Sequence, residues 1–163
     1  MLLLILDLNG TLVHVTRRPL AHREPDVAYS GRYVYFRPHL KLFLDKLDYW
    51  ARLNLVRVAV WSSVMPHNGE RLMREILQFT DLHIEFALFR DQCQLLDNHG
   101  SIKDLETVWR RYPEYKAHTL IMDDSAQKLV YQPECLLHIL TWSADNEEDC
   151  ALLRVLDELE TRL

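Results

Sequence analysis

Short aliphatic runs that stop at polar residues constrain the fold of this chain more than any other feature of its sequence. Leu2–Leu6, Val56–Trp61 and residues 118–122 are nearly continuous apolar segments, which is the pattern of strands buried on both faces. Segments in which apolar residues recur at helical spacing separate these runs. The alternation predicts an α/β fold in which helices flank a mainly parallel sheet.

Weaker patterns fill the segments between these runs. Pro38 and Pro66 stand where helices commonly begin. Asp145, followed three residues later by Glu148, resembles a capping box and predicts a C-terminal helix from residue 145. The other predicted elements are short strands at 33–36, 84–89 and 136–140, helices from 38 to about 51 and at 103–112, a turn at 98–100 and a loop at 15–31.

Length and charge narrow the class of protein. A chain of 163 residues predicts a single domain, 1–163. Its 24 Asp and Glu exceed its 19 Lys and Arg, and the formal net charge of -5 argues against direct nucleic acid binding by charge alone. No apolar stretch approaches the ~18 residues of a membrane span, so no membrane insertion is expected.

The cysteines and histidines show no spacing typical of a metal or disulfide scaffold. Cys93, Cys135 and Cys150 are odd in number and lack C-x-x-C spacing, which argues against a disulfide framework or a structural zinc site. Free thiols predict a reducing compartment, and we therefore expect an intracellular chain, cytoplasmic or nuclear.

Polar side chains follow each of the three main strands, where parallel strands end at one edge of the sheet. These side chains belong to Asp7, Asn9, Ser62, Asp123 and Asp124. Carboxylates gathered at one edge repel each other and need a cation. Oxygen ligands without a His or Cys group favour a hard ion such as Mg²⁺. Lys103 supplies further positive charge and is able to hold a phosphate.

These residues carry a family resemblance. Residues 7–13, D-L-N-G-T-L-V, resemble the first motif of the haloacid dehalogenase superfamily, D-x-D-x-T-[LV]. Ser62, Lys103 and the Asp123-Asp124 pair stand at the positions of its second, third and fourth motifs. Within that superfamily, the closest resemblance is to the RNA polymerase II C-terminal-domain phosphatases of the FCP/SCP-like (NIF-type) family. The segments similar to that family are Y-F-R-P-H-L at 35–40, L-F-R-D-Q-C at 88–93, I-K-D-L at 102–105 and D-D-S at 123–125.

The resemblance implies a Rossmann-like fold with a short β insertion at 88–103 and a minimal cap. It also implies Mg²⁺-dependent dephosphorylation of phosphoserine or phosphothreonine in proteins through a phospho-Asp7 intermediate. The resemblance implies that Ser62 and Lys103 bind the phosphoryl group. It implies that Asp7, Asp124 and the carbonyl of Asn9 bind the metal, and that Asp123 orients these ligands. Thr11 would fix the loop of the nucleophile, and Arg90 would lie near the phosphopeptide entrance. A surface ion pair is the alternative interpretation of Arg90.

Asn9 departs from the family pattern. The family's aspartate at this position acts as general acid and base, and an amide cannot take or give the proton. General acid–base catalysis is typically worth roughly 10²–10⁴-fold, so we expect low or absent turnover. Three interpretations stay open: a slow phosphatase, a pseudophosphatase that binds phosphopeptides or a partner, and an engineered change that traps a complex.

Substrate and partner follow from the same resemblance. A minimal cap favours an open site and a phosphorylated Ser/Thr protein or peptide, with the RNA polymerase II tail or another phosphoprotein as candidates. A small-molecule phosphatase of the same superfamily is the second alternative, and a helical cap after the first motif would favour it. Arg17, Arg18 and Arg23 predict a solvated face, with contact to an acidic phosphopeptide as the alternative.

Overall fold

The computed structural model describes residues 1–163 as ten strands and four α-helices. In chain order these are β1 (Leu2–Leu6), β2 (Val13–Thr16), β3 (Val27–Tyr29), β4 (Arg32–Phe36), α1 (Leu40–Arg52), β5 (Val56–Trp61), α2 (Pro66–Leu77), β6 (Ile84–Leu88), β7 (Gln94–Leu95), β8 (Ser101–Ile102), α3 (Glu106–Trp109), β9 (Thr119–Asp123), β10 (Leu136–His138) and α4 (Ala151–Glu160). Single 3₁₀ turns occupy Arg90–Gln92, Pro113–Tyr115, Ala126–Leu129 and Pro133–Cys135.

A five-stranded parallel sheet in the order β10-β9-β1-β5-β6 forms the centre of the molecule. β1 lies in the middle, pairing Leu2 with Val56 of β5 and Leu3 with Thr119 of β9. This position explains the continuous aliphatic run of β1, because a central parallel strand is covered on both faces. The predicted α/β class with a parallel sheet flanked by helices is confirmed.

Successive side chains of β1 serve the two faces of the sheet. Leu4 and Leu6 enter the larger core, which α1, α2 and α4 cover. Leu3 and Ile5 enter the smaller core on the other face, together with Trp61 and the helix α3. This alternation follows the period of two that strand geometry imposes.

A second, antiparallel sheet in the order β2-β4-β3 lies beside the first motif. The prediction of a loop at 15–31 is wrong here, because this segment contains the second half of β2 and all of β3. Both are short and mostly half-exposed, so their sequence shows no clear alternation of apolar and polar residues. They gain order from β4, which pairs Val15 and Val27 with Val34 from its two sides.

Two helix predictions start too early. α3 begins at Glu106, whereas Lys103 directly follows β8. α4 begins at Ala151, and no capping box forms at Asp145. The Asp149 carboxylate accepts the Ala151 N–H at 3.1 Å instead, because an acceptor two residues ahead of an exposed helical N–H satisfies it.

The remaining short elements agree with their predictions. β7 and β8 form a hairpin around the predicted turn at 98–100, in the segment expected to hold a short β insertion. Trp61, Trp109 and Trp142 are buried, as their apolar surroundings in the sequence indicate. None of the helices has the length and apolar character needed to cross a membrane.

Candidate active site

The carboxyl end of β1 carries Asp7, the predicted nucleophile. Asp7 is 2% exposed, and its backbone N–H donates to the Met122 carbonyl at 3.0 Å. Thr11 Oγ1 donates to Asp7 Oδ2 at 2.8 Å. The chain can turn back in this way because the backbone N–H groups of Thr11 and Leu12 both donate to the Leu8 carbonyl. This contact fits the predicted role of Thr11 in fixing the loop.

Gly10 brings this loop against a second carboxylate. Its φ of +84° lies in the left-handed region, which favours glycine. A Cβ at this position would stand 2.4 Å from Asp124 Oδ2. The Gly10 carbonyl also accepts the Trp142 N–H at 2.9 Å. Glycine is therefore required both by the backbone and by the close approach of Asp124.

Lys103 joins two of the strand ends. Its Nζ donates to Asp7 Oδ1 at 2.9 Å, to Asp123 Oδ2 at 2.6 Å and to the Trp61 carbonyl at 2.6 Å. The side chain is fully buried, and all three ammonium protons have acceptors. Burial disfavours the charged form, but the carboxylates of Asp7 and Asp123 outweigh it and raise the pKa of Lys103 above its ordinary value. The lysine is therefore held as a cation.

The acidic pair at the end of β9 divides into a buried and a more accessible member. Asp123 is fully buried and its Oδ1 accepts the Ser125 N–H at 2.8 Å. Burial raises the pKa of Asp123, the charge of Asp7 adds to this, and Lys103 opposes it. Asp124 is half-buried, and its Oδ2 accepts from Thr141 Oγ1 at 2.8 Å.

These carboxylates are arranged to hold a hard cation. One oxygen each of Asp7, Asp123 and Asp124 lies within 4.8 Å of the others. The group contains oxygen ligands and no His or Cys, which is the donor set that Mg²⁺ prefers. Residues predicted from separate strand ends are thus brought together, and the donor set fits Mg²⁺.

Ser62 and Arg90 lie on the β5 side of this cluster. Ser62 is 1% exposed and directly follows Trp61, whose carbonyl binds Lys103. Arg90 is half-buried, and none of the ion pairs in the structure includes it. Its backbone N–H donates to the Val64 carbonyl at 2.9 Å, and its guanidinium donates to the Ser63 carbonyl at 3.5 Å.

The Asn9 side chain contacts the antiparallel sheet. Its side chain is exposed, and Oδ1 accepts the Val15 N–H of β2 at 3.1 Å. The amide Nδ2 has no hydrogen-bond partner within the chain, so it is left as a free donor at the surface. Asn9 therefore connects the end of β1 with the antiparallel sheet.

Lys128 is a site residue that the sequence patterns did not reveal. Its Nζ lies 3.7 Å from Asp123 Oδ1, and its carbonyl accepts the Lys103 N–H at 2.8 Å. Three carboxylates therefore face two ammonium groups, which leaves one net negative charge at the site. A lysine four residues after the acidic pair carries no motif, and its place depends on the 3₁₀ turn at Ala126–Leu129.

Arg37 is a second residue whose place the sequence did not show, although it belongs to one of the similar segments. It is 1% exposed and forms a bidentate pair with Asp149, Nε to Oδ1 at 2.8 Å and a terminal nitrogen to Oδ2 at 3.0 Å. It also donates to the Thr11 and Leu140 carbonyls, each at 2.9 Å. Arg37 thereby fastens the loop of Asp7 to the C-terminal segment.

A match to a known family identifies the class of protein to which the chain belongs. Residues 2–163 match the family described as NLI interacting factor-like phosphatase, and the chain belongs to this family. The resemblance to the FCP/SCP-like phosphatases of the haloacid dehalogenase class is thereby confirmed.

Individual relatives agree with this assignment. CTD small phosphatase-like protein 3 of Caenorhabditis elegans is 29% identical over 96% of this chain and 53% of its own length. Nuclear envelope morphology protein 1 of Saccharomyces cerevisiae is 26% identical over 96% of this chain and 38% of its own length. The solved structure of Fcp1, an essential RNA polymerase II CTD phosphatase, superposes with a TM-score of 0.64 at 19% identity. That likeness shows a shared fold, and it covers 99% of this chain and 50% of the solved chain. The chain spans about half the length of the worm relative and less of the yeast one.

Proposed function

We propose that this chain is a protein phosphoserine/phosphothreonine phosphatase that depends on Mg²⁺ and reacts through phospho-Asp7, with turnover slowed by Asn9. The observation that supports this most is the position of Lys103. Its ammonium group bridges Asp7 and Asp123 at 2.9 and 2.6 Å beside the third carboxylate, Asp124. A buried cation between a candidate nucleophile and a candidate metal ligand is suited to a dianionic phosphate.

In the proposed reaction, an Asp7 carboxylate oxygen forms a bond to phosphorus while the bond from phosphorus to the serine or threonine oxygen breaks. Ser62 binds the phosphoryl oxygens as negative charge moves onto them, and Lys103 binds them with the proton that Asp7 Oδ1 accepts in the structure. When bound by Asp7, Asp124 and the Asn9 carbonyl, with Asp123 orienting these ligands, Mg²⁺ supplies the charge that lets a carboxylate approach a phosphate. Water then attacks the phosphorus of phospho-Asp7 and releases inorganic phosphate and the free carboxylate.

Asn9 limits both steps of this reaction. The leaving alkoxide needs a proton, and the later attack by water needs a base. The Asn9 amide supplies a hydrogen bond but neither takes nor gives a proton, so the proton comes from solvent. We expect turnover to be lower by about 10²–10⁴-fold than with a carboxyl group at this position.

A phosphopeptide- or partner-binding pseudophosphatase is the alternative, and the charges of the site favour it as a second candidate. Lys103 and Lys128 offset two of the three carboxylates, and Asn9 adds no fourth. A site with so little net charge binds an anion without the repulsion that an additional carboxylate would bring.

A small-molecule phosphatase of the same superfamily has less support. The segment after the first motif forms the short antiparallel sheet of β2, β3 and β4 and contains no helix. An open site suits a phosphorylated Ser/Thr protein, with the RNA polymerase II tail or another phosphoprotein as candidates. We expect this partner to be met inside the cell, in the cytoplasm or the nucleus.

Hydrolysis of an aryl phosphate in the presence of Mg²⁺ tests the proposal, because an aryl leaving group needs little protonation. The unsubstituted chain should release phenolate in a burst followed by slow turnover, since attack by Asp7 survives and breakdown of phospho-Asp7 lacks its base. Asn9→Asp should raise steady-state turnover by about 10²–10⁴-fold. Asp7→Asn should abolish the burst.

The controls separate a slow enzyme from a binding module. If Asn9→Asp is as inactive as the parent, the missing acid is not the defect and the phosphatase proposal fails. If the parent already turns over at the rate of Asn9→Asp, the account of Asn9 is wrong. Mg²⁺-dependent binding of a phosphoserine peptide without any burst would support the pseudophosphatase.

A further inference from the structure

A groove runs from Asn9 along the antiparallel sheet. Its volume is about 290 Å³, close to the lower limit of small-molecule sites, roughly 300 Å³. The walls come from β2, from the β3–β4 hairpin and from the first turns of α2. We call it the arginine groove, and its polar lining residues are Asn9, Thr16, Arg17, Tyr29, Arg32 and Asn68.

The arginine groove carries uncompensated positive charge. Arg17 and Arg32 line it and form no ion pair in the structure, and no acidic residue is part of the lining. This is unusual for a chain whose formal net charge is -5. The neighbouring Arg71 does have partners, since it pairs with Glu75 at 2.7 Å and lies over the Tyr29 ring.

Other arginines of the same region are used within the fold. Arg23 pairs with Asp26 at 3.2 Å and lies over the rings of Tyr35 and Trp142. Arg18 is exposed and unpaired but does not line the groove. In the basic stretch, Arg23 is therefore used within the fold, Arg18 is solvated and Arg17 faces the groove.

Asn9 links the arginine groove to the reaction centre. Its Oδ1 is held by the Val15 N–H, which leaves the two Nδ2 protons as donors at the end of the groove. A carboxylate at this position would be the only acidic group in the lining. With an amide there, every charged group of the lining is a cation.

We propose that the arginine groove binds an acidic side chain of the substrate peptide, a carboxylate or a second phosphate, that lies within a few residues of the phosphorylated serine or threonine. This inference rests on the proposed function, because it places the reacting phosphate at Asp7. Guanidinium groups bind carboxylate and phosphate oxygens through paired hydrogen bonds. The substrate class is thereby an acidic or multiply phosphorylated segment.

Peptide binding to the unsubstituted chain tests this assignment. Fluorescent peptides that carry a phosphonate analogue of phosphoserine, which is not hydrolysed, are titrated with Mg²⁺ present. Each peptide has Ala, Lys, Asp or phosphoserine at one position within three residues of the phosphonate. The best acidic peptide should bind about 10-fold more tightly than its alanine counterpart, and the lysine peptide more weakly. The preference should shrink as salt screens the arginines of the groove.

Substitutions of single arginines show which residues cause the preference for acidic peptides. Arg17→Ala and Arg32→Ala should each reduce the ratio of the acidic to the alanine affinity severalfold. Arg18→Ala removes an equally exposed charge next to the groove and should leave that ratio unchanged. Equal affinity for acidic and alanine peptides would overturn the assignment, as would an Arg18→Ala effect as large as that of Arg17→Ala.

Failure of the proposed phosphatase function can be distinguished from failure of the groove assignment. If the alanine peptide binds and inorganic phosphate displaces it, the result supports the proposed phosphoryl site. The preference for acidic peptides then decides whether the groove binds an acidic side chain. If no peptide binds and no burst appears with aryl phosphate, both the proposed function and the groove assignment are rejected.

Discussion

The two sides of the site at the carboxyl edge of the sheet are built by opposite means. On one side, Lys103 lies fully buried between Asp7 and Asp123, and every proton of its ammonium group has an acceptor. On the other, Arg17 and Arg32 face a groove without any carboxylate partner. The same chain thus combines a buried cluster of paired charges with an open groove of unpaired ones.

Burial explains this difference. A charge removed from water must be paired within the protein, so the residue types of the buried lysine cluster (Lys103, Asp7 and Asp123) are tightly constrained. An exposed arginine is solvated whether or not a partner is present. The fold therefore constrains the residue types on the groove side less than those on the buried side.

Removal of Lys103 should have the largest effect on stability. Lys103→Met leaves the buried carboxylates of Asp7 and Asp123 facing each other without a cation, and we expect a loss of about 3–5 kcal/mol at neutral pH. Urea unfolding measures this loss. Lys128→Met is the matched control, since that ammonium lies 3.7 Å from Asp123 and is partly solvated, and it should cost at most about 1 kcal/mol.

The pH dependence of the Lys103→Met variant sharpens this prediction. The pKa of Asp123 is already raised in the folded state by burial and by Asp7, against the effect of Lys103. Without the lysine it rises further, so the variant loses stability as the pH rises through that value and regains it as the pH falls. An equal loss at every pH would contradict the assignment of this cost to buried carboxylate charge.

The buried side could be predicted from the sequence to a larger extent than the groove. Asp7, Ser62 and Asp123 each follow a nearly continuous apolar run, and the ends of parallel strands meet at one edge. Their distances were not predictable, and neither was Lys128. Its approach to Asp123 depends on one 3₁₀ turn whose position no local pattern marks.

The strands beside the groove could not be predicted from sequence patterns because they are short and mostly half-exposed. β3 contains only three residues, too few for a period of two to stand out between Pro25 and Gly31. Arg17 and Arg18 both follow the end of β2, and only Arg17 lines the groove. Sequence alone therefore showed a basic stretch without showing which arginine faces the groove.

Arg37 offers a second test, with an intermediate expected effect. Arg37→Met removes the bidentate partner of Asp149 and leaves the Thr11 and Leu140 carbonyls without this donor. We expect a loss of about 3 kcal/mol in urea unfolding. The double variant Arg37→Met with Asp149→Leu should recover part of it, because no unpaired carboxylate remains. A double variant as unstable as the sum of the two single ones would show that the pair is not coupled.

Acid titration gives an independent readout of the same pair. Burial tends to raise the pKa of Asp149, but hydrogen bonds from Arg37 and from the Ala151 N–H outweigh it and lower the pKa below its ordinary 3.8. A lowered carboxyl pKa contributes stability above 3.8, and this contribution is lost as the pH falls through the lower folded value. The difference in stability between the unsubstituted chain and Arg37→Met should therefore narrow in that range.

The smallest expected loss of stability comes from substitution of two glycines, one beside the carboxylate cluster and one in the hairpin next to the groove. Gly10 and Gly31 both have left-handed backbones, with φ of +84° and +71°. A Cβ at Gly10 meets Asp124 Oδ2 at 2.4 Å, whereas a Cβ at Gly31 meets nothing within 4 Å. Gly31→Ala should therefore cost about 1 kcal/mol from backbone strain alone, and Gly10→Ala about 2 kcal/mol because Asp124 must also move.

Mg²⁺ affinity shows whether the larger loss of stability in Gly10→Ala arises from movement of Asp124. Displacement of Asp124 should weaken Mg²⁺ affinity in Gly10→Ala and leave it unchanged in Gly31→Ala, as measured by the rise in melting temperature with added Mg²⁺. We expect this asymmetry because the backbone approaches the Asp124 carboxylate at Gly10, whereas Gly31 has no side chain nearby. Equal losses of stability and of Mg²⁺ response in the two variants would mean that Asp124 is not held by the loop of Asp7.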